Sequence, residues 1–496
     1  MSKLARALGM EDAPPSGYRL AKIMATLMPS YAMAFAISTT FWLVFIAEEL
    51  GHGDYVVGLA QAGVLVAIQL IVQTVLDYPT GTLGDRYGQR YVIASALCCY
   101  AGAFFLTSLV SSTSPYYLYV GIFALMGLGR SQESGAWGAW FDTNYRIAMP
   151  HDKDRKQYGV FQGKLGMLFG LATTLSLVPG GVLALIYGRA WVFQLQAVIC
   201  VLLALVVLRL IKDLPEVIES RRVEDKKQDY VMLLKDGVRF VVSDKFIALF
   251  FTGQIIIFSM SVVYGQLILF PFYFTYLFTD VAVALYRTFL YIPQVPLQER
   301  SGIWAKRFDP KKWIPRFELL GIGGPGFFVI LAAIMILCPP PTPPIEMATI
   351  FLPFTDFAIL EYPVTATLAL VLISILFIAG YLIGTISVIL GQRVLLDVIP
   401  SRIRNSIYSL RPTLVMLVSL PLVIAFGEII AEMGFPIAFI LLSIISLSGV
   451  IVLRRAFVYY TGPPEEIESD EPKVQLPMAE SSANTLDEGS PQEDDA

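Results

Sequence analysis

Charged residues are scarce in this sequence. Asp, Glu, Lys and Arg make up 15% of its 496 residues, whereas soluble domains carry about a quarter. Hydrophobic residues make up 56%, and the mean hydropathy is +0.65. These values exclude a soluble globular domain with a charged surface and are typical of a chain that lies mostly within a lipid bilayer.

Residues that carry cofactor chemistry are also few. No G-x-x-x-x-G-K-[ST] motif occurs, which excludes a phosphate-binding loop and an ATP-driven pump. The two histidines, His52 and His151, fall in polar connections, which excludes multi-histidine metal or haem sites in the membrane. The four cysteines show no metal or disulfide spacing, so we interpret them as small hydrophobic residues. We expect no cofactor, no metal, no nucleic-acid partner and no enzymatic activity.

Long apolar runs dominate what is present. A membrane-spanning helix needs about 20 mostly apolar residues. By that measure we predict spans at 24–47, 55–77, 91–110, 116–140, 158–186, 190–211, 246–278, 281–297, 314–338, 363–391, 405–430 and 435–457. The pattern predicts an all-α membrane protein of about twelve transmembrane helices, six on either side of a charged interval.

These runs divide the chain into five predicted segments. They are an N-terminal segment 1–23, a six-helix bundle 24–211, a linker 212–245, a second six-helix bundle 246–460 and a tail 461–496. The linker contains a predicted amphipathic helix with Val231, Leu234, Val238 and Val241 on one face. The last part of the chain, 463–496, holds eleven acidic residues and one Lys. It should be disordered, and its charge of −10 leaves +6 for the body of the chain.

Lys and Arg are distributed asymmetrically between the connections, and this predicts the orientation. One set of connections, which includes the 212–245 linker, is rich in both residues, whereas the alternate set contains only Arg189. Because basic residues stay on the cytoplasmic side, we expect both termini in the cytoplasm. One of the external connections, 339–362, is unusually long and apolar in its middle. It is a lid or a cap packed on the bundle, and we favour the cap.

One charged segment occurs twice. Residues Asp77 to Tyr91, DYPTGTLGDRYGQRY, should form a tight loop at the membrane surface, because such charges cannot lie in hydrocarbon. The segment Ser301 to Lys312, SGIWAKRFDPKK, aligns without a gap to Thr80 to Tyr91. The repeat lies near corresponding points of the two halves. It predicts a duplicated protein with two pseudo-symmetric bundles.

At these residues the chain resembles the major facilitator superfamily of transporters. The family's loop between helices 2 and 3 reads roughly G-x-x-x-D-R-x-G-R-[KR]; here Gly81, Asp85, Arg86, Gly88 and Arg90 match, with a Gln in place of the first terminal basic residue. The segment SGAWGAWFD (134–142) is similar to a pattern on helix 4 of some members. The resemblance covers about residues 20–460 and implies the major facilitator fold.

The resemblance also implies a cytoplasmic latch. In such transporters the acidic residue of the loop faces a helix N-terminus of the other half, which stabilises the carboxylate; Asp85 would meet the start of helix 11, where Ser401, Asn405 and Ser406 offer capping groups. We assign to the latch Asp77, Gly81, Asp85, Arg86, Gly88, Arg90, Gly302, Arg307 and Lys311. The alternative is that Arg86 and Arg90 only anchor the loop at the membrane surface.

Polar residues within apolar runs are candidates for the transport pathway, because charges inside a membrane are costly and by default functional. The candidates for substrate binding and coupling are Gln69, Gln73, Arg130, Glu133, Trp137, Lys164, Tyr264, Gln266, Arg287 and Tyr381. Arg130 and Glu133 are three residues apart and share a helical face. They are either part of the pathway or an internal structural ion pair.

These observations predict a secondary transporter that moves a small solute by alternating access, with a proton as a candidate coupling ion. Glu133 near the membrane midplane would hold a proton, whereas Arg130 favours its ionised form, so a solute that displaces Arg130 would move the proton. The alternative is a transporter-like sensor or scaffold that binds a solute without net transport. We expect a monomer in the bilayer of the cell membrane, with a small-molecule solute as its partner.

Overall fold

The computed structural model describes residues 3–11, 13–152, 155–223, 238–342, 345–351, 358–399 and 404–460. The chain as far as Tyr460 forms one compact, mostly helical unit. The predicted tail, 461–496, lies outside the described residues, as does the first part of the predicted linker helix. Residues 238–243 of that linker are helical.

The N-terminal part of the chain folds into helices joined by short turns. They are α1 (Lys3–Leu8), α2 (Pro15–Ala36), α3 (Trp42–Leu50), α4 (Tyr55–Tyr87), α5 (Gln89–Thr107), α6 (Tyr116–Glu133), α7 (Ala136–Ala148), α8 (Lys156–Tyr187), α9 (Arg189–Leu210) and α10 (Pro215–Val223). All six spans predicted between 24 and 211 coincide with these helices. Long apolar helices of this kind can lie in lipid, because their backbone N–H and C=O groups are paired within the helix.

The C-terminal part repeats the helical pattern and adds a small sheet. Its helices are α11 (Lys245–Val263), α12 (Leu269–Leu277), α13 (Asp280–Tyr291), α14 (Gln294–Ala305), α15 (Pro310–Leu320), α16 (Pro325–Leu337), α17 (Thr367–Val398) and α18 (Arg404–Ala456). The predicted insertion forms an antiparallel pair of strands, β1 (Met347–Phe351) and β2 (Ala358–Pro363). Strand β2 packs against α12 and α13, as a cap would.

Eight helices among the described residues are long and apolar enough to cross a membrane. The last of them, Leu410–Ala456, has 47 residues. It is about twice the length that a bilayer needs, and Gly434 inside it has a φ of 78°, so it comprises two passes. The remaining predicted spans are interrupted helices: α2 with α3, α6 with α7, and α13 with α14. The architecture is therefore consistent with twelve passes.

The first copy of the repeated segment differs from the tight loop that we predicted. Helix α4 continues through Asp77 and Asp85 to Tyr87, and the turn is confined to Gly88. The helix can extend beyond the apolar run because helical backbone needs no other partner, and charged side chains at a helix end reach the membrane surface. In the second copy, a true turn at residues 306–309 separates α14 from α15.

The halves of the unit meet mainly where helix α4 packs on α18 and helix α8 packs on α13. We call the end of the bundle that carries Arg86, Arg90, Arg146 and Lys156 the basic end. The end with Glu48, Arg189 and Asp280 is the opposite end. Among the described residues, the two halves are joined more tightly at the opposite end than at the basic end.

Candidate functional site

A central cavity of about 120 Å³ lies where helices of both halves meet. It is lined by residues of α2, α3, the connection between them, α4, α5 and α6 from the first half and by residues 265–271 from the second. Three of the predicted pathway residues line it: Gln69, Arg130 and Gln266. Typical ligand pockets have volumes of about 300 to 1,000 Å³, and this cavity is smaller. A solute that fills such a pocket can therefore enter only when the helices separate.

Arg130 enters this cavity from the last turn of α6. Its side chain is accessible to solvent although it lies within the bundle. Its guanidinium carbon lies 5.8 Å from the centre of the Phe35 ring, and Phe35 in turn packs edge-on against Tyr100 at 4.3 Å. An arginine over an aromatic face is held by a cation–π attraction. The aromatic side chains therefore position Arg130 and leave its charge available.

Glu133 lies one turn further along α6, but it forms no direct ion pair with Arg130. No Arg130–Glu133 contact falls within 4.0 Å, although the two charges remain electrostatic neighbours, together with Tyr31. Helix α6 ends at Glu133, and Gly135 takes a left-handed φ of 77° before α7 begins. Glu133 therefore lies at a break between two helices.

The same interruption separates Trp137 from the face of Arg130. Trp137 lies on α7, is almost fully buried, and packs on Tyr31 with ring centres 5.9 Å apart. Its indole nitrogen has no hydrogen-bond partner among the described residues. Gln73 is half-buried on α4 outside the cavity lining. Asp77 lies beside Ser134 at the break between α6 and α7, so it joins two helices of the same half.

Arg287 on α13 is buried in an aromatic cage in the second half, with 6% of its surface exposed. It donates to the hydroxyl groups of Tyr291 at 3.0 Å and Tyr273 at 3.4 Å. Its guanidinium also stacks on Tyr291 and Phe377 at 4.4 and 4.5 Å. Among the described residues it has no carboxylate within 4.0 Å, and its Nε has no partner.

The helix that follows α11 contains a π-helical turn at Tyr264–Ile268. Such turns occur most often at functional sites. This one directs Gln266 into the cavity and buries Tyr264, whose hydroxyl lacks a hydrogen-bond partner in the described structure. Tyr381, half-buried on α17, is an electrostatic neighbour of Arg287 and Tyr291. Tyr264 and Tyr381 therefore lie near Arg287, whereas Gln266 faces the central cavity.

Lys164 belongs to neither cluster. Its ammonium group donates to the backbone oxygen of Arg6 at 3.1 Å, and the neighbouring Gln157 donates to the oxygen of Gly9 at 3.3 Å. Both contacts hold the N-terminal segment, whose Leu8 is buried, against the start of α8. Lys164 thus binds the end of a short helix at the basic end instead of lining the cavity.

The opposite end is closed by an ion cluster that the sequence analysis did not identify. Arg189, at the start of α9, donates two hydrogen bonds to Asp280 at 2.8 and 2.9 Å. It donates a third to Glu48 at 2.6 Å. Because Asp280 begins α13 in the second half, Arg189 links the two halves directly. The sequence feature that could have identified Arg189 was its position as the single basic residue in the connections at this end.

Helix α8 shows the difference between the ends most directly. Near the opposite end a Cβ on Gly181 would lie 2.9 Å from the backbone oxygen of Asp280, Leu177 packs on Ala284, and Thr288 donates to Thr174 O at 3.4 Å. Four glycines continue this helical face toward the basic end, and a Cβ built on any of them would meet no described residue within 4 Å: Gly159, Gly163, Gly166 and Gly170. Helices α8 and α13 are therefore packed at one end, and no described residue covers the same face at the other.

The latch residues all lie at the basic end. Asp85 accepts a hydrogen bond from Gln89 at 3.1 Å, and a Cβ on Gly81 would meet nothing within 4 Å. Residues 401–403, part of the predicted partner of Asp85, lie outside the described residues. In the second copy, Gly302 is on α14, Arg307 is in the turn that follows, and Lys311 is on α15. The latch therefore stays a prediction.

Nothing in the described part of the chain resembles a metal centre, since no three His, Cys, Asp or Glu side chains come together there. The chemistry that the site offers is instead that of two separated guanidinium groups, one carboxylate and several amides and hydroxyls. Such groups bind anions and transfer protons.

Comparison with known proteins gives consistent matches. The family model described as Major Facilitator Superfamily matches residues 23–370. Three solved transporters are similar in structure: the nucleoside transporter NupG (TM-score 0.63, 11% identity, 88% of this chain and 100% of that one), a D-xylose–proton symporter (0.57, 13%, 88% and 96%), and a bacterial homologue of the human lysosomal transporter Spinster in an inward-facing, unoccupied conformation (0.54, 14%, 90% and 97%). At these identities the similarity shows the fold. No curated protein sequence matches the chain.

Proposed function

Because the chain belongs to the major facilitator superfamily and is an integral membrane protein built for transport, we propose that it moves a small anionic or zwitterionic solute by alternating access, together with a proton bound at Glu133. The main support is the difference in packing along one face of α8. This face packs on α13 at the opposite end, and no described residue covers it at the basic end. Two halves that separate at one end while they touch at the other are what rocking about a central site requires.

The charge of the solute follows from the two arginines. Among the described residues, neither Arg130, which faces the cavity, nor Arg287, which is buried among aromatic rings, has a carboxylate within 4.0 Å. A cation inside a membrane-embedded bundle is costly unless it meets an opposite charge. A carboxylate or phosphate on the solute supplies that charge, and its binding draws the two halves together when both arginines contribute.

Proton coupling is proposed for Glu133. It lies at the end of α6, close enough to Arg130 for their charges to interact but without direct contact. A neighbouring cation favours its carboxylate form, and burial favours the protonated form. When an anionic solute neutralises Arg130, Glu133 takes up a proton, and it releases the proton when the solute leaves. The similarity to a D-xylose–proton symporter supports the proposal, because it indicates that the fold is compatible with proton coupling.

Transport in proteoliposomes tests this proposal, with candidate anionic solutes and an imposed pH gradient. Arg130→Ala is expected to abolish solute binding, whereas Glu133→Gln retains binding and loses accumulation driven by the pH gradient. Thr252→Val, which changes an exposed residue of α11 outside the cavity lining, is the control. Folded Glu133→Gln protein that still accumulates the solute along a pH gradient would rule out coupling at this residue.

Two outcomes would contradict the proposal more broadly. If Arg130 and Glu133 act only in folding, both variants fail to fold, because removal of one of two neighbouring charges leaves the other without compensation. If the protein is a sensor or scaffold, it binds a solute with wild-type affinity but shows no flux under any gradient. Size-exclusion profiles and binding by thermal shift separate these cases from true transport.

We also propose that the basic end faces the cytoplasm of the cell membrane. The support is the excess of Lys and Arg in the connections at that end. Impermeant thiol reagents applied to intact cells should label a cysteine placed at Tyr117, which is 77% exposed at the opposite end. They should not label one placed at Thr82 at the basic end. The reverse pattern would invert the topology.

A further inference from the structure

A second cavity, an open groove, lies apart from the central one at the basic end of the first half. It has a volume of about 530 Å³ and lies between the ends of α4, α5 and α6. Its lining combines apolar and hydroxyl-bearing side chains: Thr80, Leu83, Tyr87, Tyr91, Val92, Ser95 and Gln132. None of its lining residues is assigned to the latch or to the transport pathway, although Arg86 and Arg90 of the latch lie next to Tyr87 and Tyr91 at its edge.

The groove opens toward lipid. The side chains of Tyr91, Ser95, Cys98 and Phe105 recur every three to seven residues on α5, and all are exposed. In a membrane-spanning helix, an exposed stripe of this kind faces the bilayer. Val92 and Thr80 are buried at the floor of the groove, and Thr80 donates to the backbone oxygen of Ser131 at 2.9 Å. The floor is therefore fixed by contacts between α4 and α6.

Two arginines stand at the rim of the groove. Arg90 lies over the Tyr91 ring at 4.4 Å and donates to its hydroxyl, and Arg86 lies over the Tyr87 ring at 5.4 Å. Within the described residues neither guanidinium has a carboxylate within 4.0 Å. The nearby Asp85 accepts from Gln89. Two positive charges thus lie beside the groove, on the tyrosines that line it. Basic residues at the ends of membrane-spanning helices are typical of the headgroup region.

We propose that this groove is a binding site for one anionic phospholipid. The phosphate lies between Arg86 and Arg90 and accepts from the Tyr91 hydroxyl, while one acyl chain runs along Leu83 and Val92. Basic pockets between helices at a membrane surface bind anionic headgroups in this way. Arg suits phosphate because its planar donors match the phosphate oxygens. The proposal does not depend on the solute or on proton coupling.

Native mass spectrometry of the full chain tests the site with phosphatidylglycerol and phosphatidylcholine at equal concentrations. The wild-type protein should retain one phosphatidylglycerol at least tenfold more strongly than phosphatidylcholine. Arg86→Gln with Arg90→Gln should remove this preference. The matched control is Arg19→Gln with Arg146→Gln, which removes two exposed arginines of the same end and should keep it. Ser95→Trp should block the groove without any change of charge.

Each outcome decides the proposal. Loss of the preference in the groove variants, together with its retention in the control, supports the site. An equal loss in the control would mean that overall positive charge attracts the lipid and would overturn it, as would wild-type binding by Ser95→Trp. Inorganic phosphate that displaces the bound lipid at equal concentration would also overturn it, because the acyl chain would then contribute nothing. Thermal unfolding in detergent, with and without phosphatidylglycerol, checks that each variant is folded.

Discussion

The two ends of this bundle are held by different means. At the opposite end, backbone meets backbone at Gly181 and Asp280, and Arg189 joins acidic residues of both halves. At the basic end, a Cβ on Gly166 of α8 would meet no described residue within 4 Å, and the charged contacts that the structure describes there join elements of the same half. In this conformation, the described contacts between α8 and the second half are therefore concentrated at the opposite end.

The largest expected effect comes from a matched pair of substitutions on α8. Gly181→Leu forces a side chain into the backbone of α13, so it should open the opposite end, at a cost of about 1–3 kcal/mol for overpacking. Gly166→Leu, on the same face of the same helix, meets open space and should leave this conformation unchanged. Spin-label distances between positions 187 and 278, both exposed at the opposite end, report the change. Equal distances in the two variants would show that the close packing at Gly181 does not hold the halves together.

Arg189→Gln should have the next largest effect. It removes a bidentate contact with Asp280 and a contact with Glu48, and hydrogen bonds to charged groups are worth about 1.5–3 kcal/mol. With a discount for partial exposure to solvent, a loss of about 2 kcal/mol shifts the equilibrium about 30-fold toward states open at that end. The same label pair measures it. In a double-mutant cycle with Asp280→Asn, additive effects would show that the two residues do not act together.

The sequence predicted the helices well because the requirement for apolar length in a membrane is simple. All twelve predicted runs coincide with helical segments. It did not predict the interruptions at Gly135 and at the π-helical turn, because each depends on how neighbouring helices pack. For the same reason Trp137 and Lys164 were placed in the pathway, although one is buried on a separate helix and the other binds the N-terminal segment.

Arg189 illustrates the other limit of prediction. The sequence marked it as an exception in the charge distribution, but its role depends on Asp280, 91 residues away in the chain. Hydrophobic periodicity contains no information about such a contact. The cavity residues Gln69, Arg130 and Gln266 were found because polar side chains in apolar runs are rare, whereas an arginine in a polar connection is ordinary.

A smaller effect is expected at the basic end from Asp85→Asn. If Asp85 engages the start of α18, its carboxylate gains about 1 kcal/mol from the helix N-terminus, so its loss shifts the equilibrium about fivefold toward states open at the basic end. Distances between labels at positions 82 and 396, both exposed, report this. Gln89→Leu is the control, because it removes the partner of Asp85 within the same half. Identical distances in the Asp85 variant and the wild type would exclude the latch.

The smallest expected effect tests whether the charges of the basic end bind within one half. Asp152, in the connection before α8, accepts hydrogen bonds from the Tyr145 hydroxyl at 2.8 Å and from the backbone nitrogens of Tyr158 and Gln157 at 3.0 and 3.2 Å. Burial alone raises the pKa of this carboxyl, but the hydrogen bonds outweigh it, and the pKa of Asp152 falls below its usual value.

A carboxyl with a lowered pKa stabilises the folded state above the pKa of the unfolded chain, about 3.9 for Asp. That contribution is lost as the pH falls from there through the lower pKa of the folded state. Asp152→Asn should therefore reduce thermal stability at pH 7 by about 1 kcal/mol at most, since the site is partly exposed, and its effect should become smaller as the pH falls below about 3.9. Because the contacts of Asp152 lie within one half, distances between the halves should not change in this variant. A changed distance between positions 82 and 396 would mean that the basic end also joins the halves, and the contrast between the two ends would fail.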